Sequence, residues 1–309
     1  VCVYQSSARG TVKDKANFKV EEDVSALRKA IEGIGTTEKT LVEVLTQRSN
    51  AQRQLIAQAY EKKTGRKLVD DLEGDTHGDF EDLLVALVTP PALFDCREVI
   101  NAIKGAGTTE CTLTEIFSSR SNRQIKALSE AYLAETGKAM IHDLKSEVSG
   151  EYGEALLILA EALYEAGEKK WGTDEQKFID ILCHRSVPQL RQTLVEYKNI
   201  SKKTLQESIE SEMSGNLETL LVALFTHCTA SSSETFCFSP QNSLSYCVQG
   251  AGTTESTLTR IVVSRSEIDL LDIRAEYKKL FGYTLYSHLE SEVSGSYGNA
   301  LKHLCGQDD

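Results

Sequence analysis

An all-α fold, an array of four five-helix repeats, is predicted by three features of this chain: a block that recurs four times in register, helical apolar periodicity between its marks, and no convincing alternating strand. The block opens Gly33-Ile34-Gly35-Thr36, then Gly105-Ala106-Gly107-Thr108, then Lys170-Trp171-Gly172-Thr173, then Gly250-Ala251-Gly252-Thr253. Twelve positions after each threonine stands an arginine (Arg48, Arg120, Arg185, Arg265), followed at once by Ser49, Ser121, Ser186 and Ser266. Eleven positions after each serine is a tyrosine: Tyr60, Tyr132, Tyr197, Tyr277. Forty residues beyond the last glycine of each block is an acid, Asp75, Glu147, Glu212 or Glu292, and three further is Gly78, Gly150, Gly215 or Gly295. Chance does not hold so many marks in register.

The first repeat shows why each stretch is a helix. Val24, Leu27 and Ile31 share one helical face ahead of the glycine loop, and Leu41, Val44 and Leu45 share another behind it. Ser49 has the spacing of an N-cap with Gln52, repeated as Ser121 with Gln124 and Ser186 with Gln189, and with Asp269 in that place after Ser266. Leu55, Ile56, Ala59 and Tyr60 are then expected inward. A short helix over Lys67–Glu73 ends near the acid, and Phe80, Leu83, Leu84 and Leu87 mark a last one. Only four prolines interrupt the chain.

Composition sets the class of partner. The 309 residues are 40% hydrophobic, enough for one large core or several small ones, and no apolar run approaches the roughly 18 residues of a membrane span. With 46 acidic against 34 basic residues the net charge is -12, which disfavours nucleic acid and disfavours direct contact with anionic lipid. A cation placed between protein and lipid removes that objection. No signal-peptide pattern opens the sequence, and eight cysteines without a paired framework are expected as buried free thiols in a reducing, cytoplasmic compartment.

A glycine loop lets an ion approach backbone carbonyls closely. Calcium takes about six to eight oxygens, so loop carbonyls plus one bidentate acid leave positions open for a lipid phosphate. Glycines most often only end helices; four copies with an acid at constant distance favour an ion site.

The G-x-G-T block with its distant acid resembles the repeat motif of the annexins, over nearly the whole chain. The resemblance implies a tail over 1–17, repeats at 18–88, 90–160, 161–228 and 236–307, and calcium-dependent binding to acidic, phosphatidylserine-like membranes. It implies a peripheral protein with a part in membrane organisation, trafficking or phospholipase A2 inhibition. The implied calcium ligands are Ile31, Gly33, Gly35 and Asp75; Ile103, Gly105, Gly107 and Glu147; Gly167, Lys170, Gly172 and Glu212; and Val248, Gly250, Gly252 and Glu292. Glu38, Glu110, Glu175 and Glu255 are candidates for weaker ions, though acids favour a helix N-terminus for its own sake. Trp171, the sole tryptophan, sits at a loop tip and reads as an interfacial anchor. The family pattern further suggests a polar central channel where Asp95, Glu115, Arg120 and Arg265 pair; an arginine in all four repeats fits a structural ion pair at least equally well.

Two stretches depart from the pattern. Glu147 to Gly172 spans only 25 residues, against 32 from Asp75 to Gly107 and 40 from Glu212 to Gly252. The Ser/Thr-rich Thr229–Ser239, followed by Pro240, replaces the expected start of repeat four. Repeats three and four are therefore expected to be distorted, with repeats one and two the firmer half. Catalysis, such as the cyclic inositol phosphate hydrolysis credited to some relatives, finds no support: the six histidines lack H-E-x-x-H spacing, and no P-loop is present. A scaffold with degenerate sites is disfavoured by the four intact acids, and no EF-hand loop occurs.

Overall fold

The computed structural model describes residues 9–32, 37–104, 108–162, 197, 204–229, 244 and 255–307. Among the described residues there are sixteen helices and no strand. Repeat one has all five: α1 (Val20–Glu32), α2 (Glu38–Thr46), α3 (Asn50–Thr64), α4 (Leu68–Asp75) and α5 (Gly78–Val88). Repeat two does as well: α6 (Pro91–Ile103), α7 (Glu110–Ser119), α8 (Asn122–Thr136), α9 (Met140–Glu147) and α10 (Gly150–Ala162). Next come α11 (Leu205–Glu212) and α12 (Gly215–Thr229), then α13 (Glu255–Arg265), α14 (Leu270–Phe281), α15 (Leu285–Glu292) and α16 (Gly295–Cys305). Of the short Glu147–Gly172 connection, residues 163–172 lie outside the described residues, as does the Thr229–Ser239 stretch but for Thr229.

Local chemistry starts and stops these helices. The Ser49 hydroxyl accepts from the Gln52 amide while the Gln52 side chain accepts from the Ser49 amide, and Ser121 with Gln124 does the same. Thr204 and Glu207 form a third box that the sequence pattern did not reveal. The expected box after Ser266 is absent. Instead the Asp269 carboxylate clamps the Arg265 guanidinium through two bonds, and the Ser266 hydroxyl donates to the Val263 carbonyl at 2.9 Å. The cause lies upstream in the pattern. Arg48 is held by Asp23 at 2.6 and 2.7 Å and Arg120 by Asp95 at 2.9 Å, each acid standing 25 residues before its arginine. Twenty-five residues before Arg265 stands Pro240, so Arg265 takes its carboxylate from the next helix start. Arg120 thus pairs with Asp95 and Arg265 with Asp269, each within its own repeat.

Leu55 is a correction. It is 52% exposed, while Arg53 occupies the inward position at 1%. Along one helical face Arg53, Ile56 and Tyr60 follow at i, i+3 and i+7, which turns Leu55 outward. The equivalents of Arg53 are Ile125, Leu190 and Leu270, so a buried guanidinium is peculiar to repeat one. Its Nη atoms donate to the Leu45 and Arg48 carbonyls and to the Glu267 carboxylate, leaving Nε without a partner; burial pulls its pKa down to about 10 against the pull of Glu267. Glu267 also accepts from the Asn50 amide at the start of α3.

That contact joins repeat one to repeat four, and the apolar cores are divided in the same way. One core runs through Leu27, Leu45, Ile56 and Leu84 together with Ile261, Tyr277, Leu289 and Leu301. The other runs through Val99, Phe117, Leu128 and Leu156 together with Ile209, Leu221 and Leu224. Two compact units result, Ser6–Pro91 with Pro240–Asp309, and Ala92–Ser239 with Val1–Gln5. Repeat one packs with repeat four and repeat two with repeat three, contrary to the expectation that repeats one and two form a half. Residues 9–15 strap the first unit. Val12 enters its core, Thr11 donates to the Ser266 and Leu304 carbonyls, and Lys15 exchanges bonds with Gln52.

The recurrent tyrosines tie the third helix of a repeat to the fourth. Tyr60 donates to Asp71 at 2.7 Å and Tyr132 to Asp143 at 2.8 Å; burial first, then the carboxylate, raises both phenols above their usual range. In repeat four the acid is replaced by His288, which shares a hydrogen bond with Tyr277 through Nδ1. Burial lowers the His288 pKa from 6.5, with Glu292 pulling the other way. A lowered histidine pKa means that the fold prefers the neutral ring. Its stabilising contribution is therefore complete above pH 6.5 and is lost as the pH falls through the depressed value. Thermal unfolding between pH 7.5 and 5 should show a steeper acid loss for the wild type than for His288→Asp, which copies the pairs of repeats one and two. Parallel curves would refute this origin of acid sensitivity.

The described thiols divide. Cys96 and Cys305 are buried, as expected, and Cys96 is pushed up to about 11 by burial, whereas Cys111 is exposed on the first turn of α7.

Candidate functional site

Each recurrent acid is the last residue of an eight-residue helix: Asp75 of α4, Glu147 of α9, Glu212 of α11 and Glu292 of α15. The next residue is extended, and the glycine at +3 opens the following helix with φ between 65° and 70°. That left-handed backbone is why a glycine recurs there: any Cβ would be strained. The turn aims the acid outward, and Asp75, Glu147 and Glu292 are exposed. The side chain of Glu212 lies outside the described residues.

A carboxylate at a helix C-terminus gains nothing from the macrodipole, whose negative pole it shares. A second negative pole stands close by. In repeat two, the Thr109 amide donates back to the Ala102 carbonyl at 2.8 Å, closing the loop that follows α6. The Thr108 hydroxyl donates to the Glu147 carbonyl at 3.0 Å. These two bonds draw the C-terminal ends of α6 and α9 to adjacent residues of one loop. Repeat one closes the same way, Thr37 amide to Ala30 carbonyl at 3.1 Å. Ile31 and Ile103 are each 7% exposed, and their buried side chains anchor the last turns of α1 and α6, where carbonyls lack helical partners. The geometry concentrates oxygen and negative potential at one point. It suits a hard cation.

Of the sequence-predicted ligands, Ile31 and Ile103 lie in the last turns of α1 and α6, and Asp75, Glu147 and Glu292 end α4, α9 and α15; the bond that joins acid-bearing helix to loop is seen at Glu147. Gly33, Gly35, Gly105, Gly107, Gly167, Lys170, Gly172, Val248, Gly250 and Gly252 lie outside the described residues, as does Trp171. Glu38, Glu110 and Glu255 are the first residues of α2, α7 and α13, where the dipole favours an acid, and Glu38 accepts from the Ser296 hydroxyl. Glu175 lies outside the described residues. Thr108 was legible only as the last letter of G-x-G-T; its use as a tether needed the tertiary structure.

A family model described as Annexin matches residues 22–87, 94–159, 158–224 and 241–304. The chain belongs to the annexin family. This annexin is 49% identical to mouse (Mus musculus) annexin A3 and 48% identical to human (Homo sapiens) annexin A3, in both cases over 97% of this chain and 98% of the relative. A solved annexin III structure superposes with a TM-score of 0.88 at 47% identity, covering 97% of this annexin and 98% of that chain. A calcium-bound annexin (Sm)1 structure superposes with a TM-score of 0.85 at 29% identity, over 97% and 93%. The family is one of calcium-dependent phospholipid binders rather than enzymes. Among the described residues of this annexin, no helix is long and apolar enough to cross a membrane.

Proposed function

We propose that this annexin binds acidic phospholipid membranes reversibly through calcium ions, one site in each of the repeats 18–88, 90–160, 161–228 and 236–307. The observation that carries the reading is the pair of tethers from Thr108 and Thr109, which bring the end of α6 and the acid of α9 to one loop. Calcium would be held by the carbonyls of Ile31, Gly33 and Gly35 with Asp75, of Ile103, Gly105 and Gly107 with Glu147, of Gly167, Lys170 and Gly172 with Glu212, and of Val248, Gly250 and Gly252 with Glu292. The ion would supply the positive charge that a chain of net charge -12 needs to meet an anionic surface. Unfilled coordination positions would pass to lipid phosphate oxygens. Trp171, at the tip of the third loop, would enter the interfacial layer. A cytoplasmic protein acting in this way reaches membranes when calcium rises. Membrane organisation, trafficking and shielding of lipid from phospholipase A2 would all follow from such coverage.

Sedimentation with phosphatidylserine vesicles tests the reading. Binding should appear with calcium, reverse in chelator and fail on neutral phosphatidylcholine. Equal binding in chelator, or none at calcium on the order of 1 mM, refutes it.

A further inference from the structure

The four repeats are of two kinds. In repeats two and four, a tyrosine two residues after the αL glycine, Tyr152 or Tyr297, reaches back to the helix that follows the ion loop. The Tyr152 hydroxyl donates to the Glu110 carbonyl at 3.0 Å, and the Tyr297 hydroxyl to the Glu255 carbonyl at 3.1 Å. A phenol has one proton, so the neighbouring threonine must be the donor in the second bond. Thr114 donates to Tyr152 at 3.2 Å and Thr259 to Tyr297 at 3.1 Å. All four side chains are buried. Repeats one and three have Phe80 and Leu217 in place of the tyrosine, and Val42 and Ile179 in place of the threonine. Tyrosine and threonine occur together or not at all.

A second feature separates the same two pairs. The residue after the tyrosine is Gly153 or Gly298, against Glu81 and Glu218 in repeats one and three. A Cβ on Gly153 would stand 2.9 Å from the Val148 carbonyl carbon, and one on Gly298 would stand 2.7 Å from the Val293 carbonyl oxygen. Val148 and Val293 directly follow the acids Glu147 and Glu292. A residue with a side chain forbids so close an approach. In repeats two and four the last helix therefore lies against the acid-bearing link at a distance that only glycine permits.

Both features act on the two segments that frame the ion. The tyrosine fixes the first turn after the glycine loop, and the glycine fixes the link after the acid. We infer that Tyr152 and Tyr297, with Thr114 and Thr259, are positioning residues that hold loop and acid at their binding separation, so that repeats two and four take calcium at lower concentration than repeats one and three. Each compact unit then carries one braced repeat. The inference rests on the calcium reading above. It deepens that reading by ranking the sites.

The test compares calcium midpoints for binding to phosphatidylserine vesicles with melting temperatures in chelator. Loss of an outer-shell partner weakens metal sites about 10- to 100-fold, so Y152F with Y297F should raise the midpoint about tenfold or more. Y152F should add little to Glu147→Ala, which removes the same site, and its full effect to Asp75→Ala. Transplanting the brace with F80Y and V42T should lower the midpoint of an Glu147→Ala, Glu292→Ala background. If the wild type binds with calcium but Y152F with Y297F leaves its midpoint unmoved, the brace is refuted and the calcium reading stands. A Y152F shift equally large in the Glu147→Ala and Asp75→Ala backgrounds refutes it too, since a general loss of stability would do the same. A wild type indifferent to calcium overturns both.

Discussion

Replacing the four helix-end acids together, D75A/E147A/E212A/E292A, is expected to abolish calcium-dependent vesicle binding while leaving the fold intact. Each acid would supply the only side-chain oxygens of its site, the rest coming from carbonyls. Losing an outer-shell partner already costs a metal site about 10- to 100-fold, so losing the carboxylate itself should cost at least about 100-fold per repeat. Four such losses move the midpoint beyond any practical calcium concentration. The stability side has the opposite sign. Glu147 and Glu292 are exposed at helix C-termini, where a carboxylate is opposed by the dipole, so their removal in chelator should relieve about 0.3–1 kcal/mol per helix. Vesicle sedimentation beside thermal melting separates the two. A variant that binds at the wild-type midpoint sinks the site assignment, and one that fails to fold shows that the acids are structural.

The second large effect is on stability. Asp95→Ala takes from the Arg120 guanidinium, 3% exposed at its side chain, the carboxylate that holds it in two bonds of 2.9 Å. Removing one partner of a buried ion pair costs about 3–5 kcal/mol, whereas replacing both by apolar groups is close to neutral. Urea unfolding should therefore show a large loss for D95A and recovery of most of it in D95L/R120M. The same pair of variants decides between the two roles open to this arginine. A structural pair predicts recovery in the double variant with vesicle binding unchanged. Equal losses in D95A and D95L/R120M would show that the arginine has a role beyond neutralising Asp95.

What was legible in the residues was what recurs locally. The boundaries of α1 to α10 follow from apolar periodicity, from the boxes at Ser49 and Ser121, and from glycines at positive φ such as Gly65 and Gly137. The acids were found by their constant distance from the loop, and all four sit at the same helix end. Leu55 was misread because the inward face runs through Arg53, Ile56 and Tyr60, as it does through Ile125, Leu128 and Tyr132 in repeat two, and Asp269 because Pro240 denies Arg265 its usual acid.

The pairing of repeats belongs to the tertiary structure alone. Helical periodicity says that α2 and α16 each have an apolar face, but every repeat carries nearly the same faces, so periodicity cannot choose between neighbours. The choice rests on side chains that break the repeat: Arg53 where its equivalents are Ile125 and Leu270, Glu267 reaching from repeat four, and Val12 and Thr11 laid against the last helices. The sequence by itself determined four helical units and one acid at a constant distance from each glycine block, because capping, periodicity and αL glycines act over a few residues. Which repeats share a core, and which two hold their loop with a tyrosine, were decided only when segments far apart in the chain met and their buried polar groups had to find partners.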